Sequence, residues 1–579
     1  MAKSENEQLD NMLLEFYNYM ADVYIEYNSI EPKPLIKKPS NKNEIKDISH
    51  LNDILNTDLN IDIDNNADTM VIQEFQDYFL YKLYYNYGIK RRIISDKLIL
   101  LFYDKAAKGY KPDHLITMLC RHMMLDMSNM RVVSLGITKA TKLDNFLKAY
   151  NINPDDALTN KLGESENFNE KFRIYSFPEG TMMIYNPLLK KYNVSMTHNI
   201  DININNDEQD ENEIKHNDEI KEMIEQKFKE QFQYSTRRMV GTGNFNSLKT
   251  FFEMFNENNV IANINMANIP ENVLENRILI FNIEHPENKM ISPFMRNYNT
   301  LCGVYKLKSI EQVNNEWQHI LELSKNGMNG MNGMNGINGN NVNNDIRTGF
   351  SVLGKNMICK EHISELNDEI SKYGVCFNTP DIVKSFERKK SDGTMEIIQT
   401  IDININMLMG IVANKPKTFQ GYLIYGINGE RTKISNPQYK ILKQLKGNRP
   451  VVIEQWNIKN LFYLYWRLIK QNIVHQFIKE FDVNGEWTYH QLFMWFSSLT
   501  RAYASYLFKC YHHSFVKKDM NKNDIPYSMK PLCGELHKMY MSNKCPITNT
   551  MVEQFIFQMP SGKVFWRLFT LNNHNSISQ

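Results

Sequence analysis

"RIYSFPEGTMMIYNP", residues 173–187, is the stretch on which the reading of this chain turns. Apolar and aromatic residues at both ends predict two strands. Pro178-Glu179-Gly180-Thr181 between them predicts a tight turn that presents a carboxylate. The first question is what such a turn, carrying Phe177 two residues before the acid, would serve.

Working outward, further strand-like runs are "MRVVSLGI" (130–137), "RILIFNIE" (277–284), "LMGIVAN" (408–414) and "FQGYLIYGI" (419–427). Helical stretches such as "NSLKTFFEMFNEN" (246–258) separate them. This alternation predicts an α+β fold built on mixed or antiparallel sheets. From about residue 452 the character changes. "IKNLFYLYWRLIKQNIVHQFIKEF" and "HQLFMWFSSLTRAYASYLFKCYHHSFVKK" carry apolar residues at three and four spacing with basic residues between, which predicts an all-α C-terminal domain.

With 579 residues, 42% of them hydrophobic and 12% aromatic, the chain can bury large cores in more than one domain. Lys plus Arg (67) and Asp plus Glu (66) balance to +1, so any nucleic-acid affinity must come from local clustering rather than a global field. The seven cysteines are scattered and form no C-x-x-C pair, which argues against a disulfide framework and against a zinc site of paired cysteines. No run approaches the roughly 18 apolar residues of a membrane span, and the N-terminus lacks a signal-peptide core. These features predict an intracellular, cytoplasmic protein with no membrane partner. Residues 40–68, 197–221 and 326–345 are rich in Asn, Asp or Gly and are expected to be structureless insertions. The hexapeptide "IDININ" occurs at 200–205 and 401–406 with unmatched flanks, so it reflects compositional drift rather than duplication. The expected organisation is an N-terminal helix and linker (1–69), a main domain (70–450) and a helical domain (451–579).

Several segments, in order, resemble the motifs of phage-type ATP-dependent RNA ligases of the covalent nucleotidyltransferase superfamily, particularly the versions carried by large DNA viruses. "LCRHMMLDMSNMRVVSLGITKATKL" (119–143) resembles the segment before the nucleotide site. The stretch Phe177-Pro178-Glu179-Gly180 occupies the place of the K-x-D/E-G motif, and Thr236-Arg237-Arg238 resembles the second motif. "FNIEHPENKMISPF" from Phe281 to Phe294 resembles the third, Gln420-Gly421 the fourth and Lys433-Ile434-Ser435 the fifth. Five matches in the correct order are more specific than any one of them. The resemblance covers roughly residues 75–445 and extends weakly into the C-terminus. It implies a nucleotidyltransferase fold, ATP and magnesium as cofactors, and RNA as a partner. It also implies an infected cell or a virion as a setting. The helical C-terminal domain is a possible surface for a protein partner.

In that family a lysine attacks the α-phosphate, acidic groups hold ribose and metal, and lysines grip phosphates. The resemblance places Phe177 at the nucleophile, Asn282 and Gln420 at the acids, and Ser435 at the second lysine of the last motif. It leaves Glu179, Gly180, Arg237, Gly421 and Lys433 as nucleotide-binding residues, with Arg121 and Lys139 as phosphate contacts. The charges are lost while glycine, proline and the apolar framework remain, which implies a ligase fold with impaired catalysis that binds RNA or nucleotide. One alternative is an active ligase using a displaced lysine, for which Lys171, Lys415 and Lys417 are the candidates. Lys171 would lie about 20 Å from Phe177 along an extended strand. The other alternative is a structural or assembly protein built on the same fold. Phe177 either stacks on a base or fills the space of the lost lysine stem.

The basic strip Arg431–Arg449, with Lys433, Lys440, Lys443 and Lys446, is a candidate RNA surface, with Tyr439 for stacking. Residues 481–493, "FDVNGEWTYHQLF", resemble a calcium loop. Gly485 and Phe493 stand where its turn and bidentate acid do not allow them, so a helix-connecting turn is expected. Cys533, His537 and Cys545 are three loosely spaced groups without a fourth ligand, and His122, His512 and His513 read as structural.

Overall fold

The computed structural model describes residues 7–29, 35–37, 69–71, 75–153, 172–176, 180–192, 233–236, 249–288, 296–330, 338–390, 392–426, 429–446, 457–482 and 488–569. It is a mixed α/β structure with antiparallel sheets and a helical C-terminal region. It divides into two compact units at residues 437 and 438. Among the described residues no helix is long and apolar enough to cross a membrane.

Within the first unit, β1 (Leu35–Lys37) pairs with β2 (Thr69–Val71). The strands β3 (Ile89–Ile93), β4 (Leu98–Tyr103), β5 (Met123–Asp126) and β6 (Arg131–Leu135) follow one another in a four-stranded antiparallel sheet. β4 reads "LILLFY" without alternation because both of its faces are covered. Ile99, Leu101 and Tyr103 join the largest core, while Leu98 and Leu100 pack with Met124, Val133 and Leu189. The helix Glu7–Ser29 belongs to that largest core: Met12, Leu13, Phe16, Tyr17, Met20 and Ala21 are completely buried. Tyr17 also donates a hydrogen bond to the carbonyl of Met130 at 2.9 Å.

The next strands are β7 (Phe172–Ser176), β8 (Thr181–Tyr185), β9 (Tyr234–Thr236), β10 (Arg277–Glu284), β11 (Tyr298–Leu307) and β12 (Ile358–Glu361). After them come β13 (Ser385–Lys389), β14 (Met395–Gln399), β15 (Gly421–Gly426) and β16 (Arg431–Ser435). A five-stranded sheet has the order β12-β11-β10-β8-β9, and a three-stranded sheet the order β16-β15-β7. β10 is apolar on both faces for the reason that governs β4. Ile278 and Ile280 enter the largest core, while Leu279, Phe281 and Ile283 pack under the helix Phe251–Ile261. The three-stranded sheet buries Phe172, Ile174, Tyr422, Ile424 and Ile434 against Ile405, Leu408, Ile411 and Val412.

The last contact corrects one expectation, since "LMGIVAN" is not a strand. Residues Ile405–Asn414 form a helix whose N-cap Asn404 accepts a hydrogen bond from the Met407 amide at 2.8 Å. Its buried residues fall at helical spacing once the preceding turn is included. The Asn/Gly-rich stretch 326–345 is also more ordered than composition suggested. Helices Ile310–Gly330 and Asn338–Gly354 run into it from both sides, anchored by buried Val313, Trp317 and Ile320 and by Ile346, Phe350 and Leu353. Residues 40–68 and 197–221 lie outside the described residues.

The second unit, from Gln438, is helical around one aromatic core. Phe462, Tyr465, Trp466, Phe477, Tyr489 and Phe496 are all buried in it. The calcium-like stretch joins two helices: Val474–Phe481 ends there, and Thr488 opens Tyr489–Tyr511 with a reciprocal capping box to Gln491. Cys533 is buried in this core and Cys545 is exposed.

Candidate functional site

The quoted stretch joins the two sheets. β7 ends at Ser176, the register partner of Tyr422 on β15, and β8 begins at Thr181, the register partner of Ile283 on β10. The chain passes from one sheet to the other between Ser176 and Gly180, a reach of at most about 14 Å. Phe177 and Glu179 themselves, with Lys171 and Arg237, lie outside the described residues. The replacement of the nucleophilic lysine is therefore a fact of sequence.

Around this crossing the structure gathers several of the motif positions. Asn282 faces Met182 across one register and Thr300 across the other, and its side-chain amide lies against Gly180, where a Cβ would run into it. On the other sheet, Gly421 and Ser435 are register partners. Gly421 has φ +140°, and a Cβ there would meet the backbone of Ile434 and Ser435. The Gln420 carbonyl accepts the Asn436 amide at 3.0 Å, so this residue fastens the end of the hairpin. Lys433 is exposed, and Arg431, Lys433 and Ser435 share one sheet face by strand alternation. The opposite face, with Ile434, is the core described above.

Glu284 stands two residues beyond Asn282 on the same face of β10. Its buried carboxylate is held by Arg296 through Nε at 2.9 Å and a second nitrogen at 3.3 Å. That ion pair raises the Arg296 pKa, and the guanidinium also stacks 4.5 Å over Tyr298. Nearby, His285 Nε2 and Lys249 Nζ both reach Glu257, at 3.0 and 2.7 Å. The hydrogen bond from Lys249, helped by His285, holds the Glu257 carboxyl below its usual value.

The donor set bears on magnesium. This ion needs hard oxygen ligands, usually carboxylates, but the positions the ligase resemblance assigns to acids carry the amides of Asn282 and Gln420, and Glu284 is committed to Arg296. These residues do not fit a divalent cation, and no step is derived through one. Phosphate fits better, because Lys433 brings an exposed cation to the shared face.

Other expected site residues are placed elsewhere. Lys139 donates to the Pro112 carbonyl and lies 4.0 Å from Asp113, and burial lowers its pKa. Arg121 is half-buried after the short helix Leu115–Leu119. Its neighbour His122 is fully buried, 3.4 Å from the Ser235 hydroxyl. Lys415 caps the helix Ile405–Asn414, and Lys417 is exposed in the following turn.

The basic strip is corrected most. Arg431 is buried in the first unit, whereas Lys440 and Lys443 lie exposed on the helix Pro437–Lys446, nearly all of which belongs to the second. Tyr439 is 2% exposed and Lys446 1%, so neither offers a surface: the helix turns Tyr439, Leu442, Leu445 and Lys446 inward. Arg449 lies outside the described residues.

Sequence reasoning missed Cys302, Tyr305, Lys360 and Tyr425, which line a cleft together with Arg431. "ICKE" around Lys360 is an ordinary strand, and nothing local marks it. No family model matches the chain, and no curated protein is similar to it.

Proposed function

We propose that this chain is an RNA-ligase-like protein that binds RNA or nucleotide without covalent catalysis. One observation carries the reading. The stretch in the place of the lysine motif crosses between two antiparallel sheets, and the third-motif residue on one sheet and the fourth- and fifth-motif residues on the other flank that crossing. Gly180 and Asn282 meet there, as do Gly421 and Ser435. A scaffold for in-line attack on a bound phosphate would use these positions, but here they carry amides and a hydroxyl in place of acids and a lysine. Charge-neutral replacements keep the glycine-dependent geometry and remove the groups that activate a nucleophile and hold a metal. What remains suits binding: Lys433 on the shared face, and Lys440 and Lys443 on an exposed helix.

The test combines two measurements on the full chain. Incubation with ATP and magnesium or manganese, followed by intact-mass analysis, is expected to leave the mass unchanged. A gain of one AMP, mapped to Lys171, Lys415 or Lys417, would make the protein an active ligase with a displaced lysine. Titration of a fluorescent single-stranded RNA carrying a 5′-phosphate is expected to show binding that weakens steeply with salt. Absence of RNA binding would favour an assembly role.

A further inference from the structure

The two sheets enclose a second feature at the end away from the crossing. The β15–β16 register places Arg431 opposite Tyr425 and Ser435 opposite Gly421, four residues apart, or about 13 Å along the strand. At the Arg431 end a cleft of about 490 Å³, open mouth included, is lined by Thr138, Cys302, Tyr305, Lys360, Tyr425 and Arg431 among others.

Arg431 is 6% exposed. Its Nη2 donates to the Thr138 carbonyl, its Nη1 makes a long 3.5 Å contact with the Tyr425 hydroxyl, and its Nε has no partner. A guanidinium carries five N–H donors, so most of this one's capacity is unspent. No carboxylate among the described residues pairs with it: Glu430, the preceding residue, accepts instead from the Tyr150 hydroxyl at 2.7 Å. Burial pushes both Cys302 and Tyr305 up to about 12 against the pull of Arg431, so neither supplies a negative charge at neutral pH. Lys360 adds a second cation, 5.8 Å over the ring of Tyr425. A buried charge left without a counter-charge is costly. Here two cations and two tyrosines line one cleft in which no Asp or Glu stands among the described residues.

We propose that this cleft is an anion site for a phosphate monoester, with Arg431 and Lys360 on the phosphate and Tyr305 and Tyr425 flanking the group that carries it. Its volume suits a mononucleotide rather than a helix of nucleic acid. Free phosphate shares the chemistry. The site is separate from the crossing that supports the ligase-like reading, and it does not depend on that reading.

Calorimetric titration of the full chain with AMP, inorganic phosphate and adenosine tests it. AMP should bind saturably, and adenosine at least tenfold more weakly. Inorganic phosphate as tight as AMP would make free phosphate the ligand of the same site. Arg431→Gln should weaken AMP at least tenfold. Because Arg431 is buried, Lys360→Ala provides a second variant at a half-buried position, and it too should weaken AMP several-fold while circular dichroism remains that of the parent. No binding of AMP or phosphate to the parent protein would overturn the proposal. So would binding that a folded Lys360→Ala variant leaves unchanged, since the ligand would then sit elsewhere.

Discussion

Gly421→Ala should destabilise the first unit far more than Gly180→Ala, and only the second change should be rescued from its neighbour. Gly421 has φ +140°, a conformation that costs an L-residue about 1–3 kcal/mol. Its new Cβ would also meet the Ile434 carbonyl and the Ser435 Cα, which are fixed by the β15–β16 ladder, and overpacking of this kind adds about 1–3 kcal/mol. The sum is about 2–6 kcal/mol, and Ser435→Ala cannot relieve it because the obstruction is backbone. At Gly180 the obstruction is the terminal amide of Asn282 and φ is not positive, so the cost is the overpacking alone, about 1–3 kcal/mol. Truncation in the double variant Gly180→Ala/Asn282→Ala removes the collision, and the pair should show a coupling of about 1–2 kcal/mol. Hydrogen exchange of peptides covering 172–185 and 421–435 gives the opening free energies directly. A Gly421→Ala protein within about 0.5 kcal/mol of the parent, or a Gly180→Ala protein that Asn282→Ala does not rescue, would refute this reading of the crossing.

Three further outcomes follow from particular contacts. Changing Lys440 and Lys443 together to Glu should weaken single-stranded RNA binding and lower the slope of log affinity against log salt by about 1.4, measured by fluorescence anisotropy, with the helical unit still folded. Glu257→Gln should flatten the acid limb of stability. A carboxyl held low in the folded state contributes stability above its ordinary value of 4.5 and loses it as pH falls through the folded value, so parent and variant should differ in urea midpoint at about pH 6 and converge at about pH 3. Asn404→Ala should cost about 1 kcal/mol by removing the cap of the helix Ile405–Asn414, read by thermal unfolding.

The sequence by itself determined the local elements whose signal is carried by neighbouring residues. "RILIFNIE" became β10 over the same residues, "MRVVSLGI" contains β6, and the C-terminal periodicity became helices around one aromatic core. The helix-connecting turn after Phe481 was legible for the same reason, since Thr488 and Gln491 carry the capping box within four residues. "LMGIVAN" went the other way. Seven apolar-rich residues suit a strand or a buried helix equally, and the deciding cap, Asn404, stands outside the run. Composition likewise understated 326–345, because the residues that anchor its two helices lie at their far ends.

Tertiary structure alone decided which side chains meet. β7 pairs with β15, about 250 residues later, while β8, five residues on from β7, joins a different sheet. No local pattern encodes that division, because register is set by which faces find a common core. The same holds for the cations. Arg431 and Lys440 look alike in a basic strip, yet one ends a buried strand beside Tyr425 and the other rides an exposed helix face. A charge count along the chain records how many cations there are, and only the fold determines which of them lose their water.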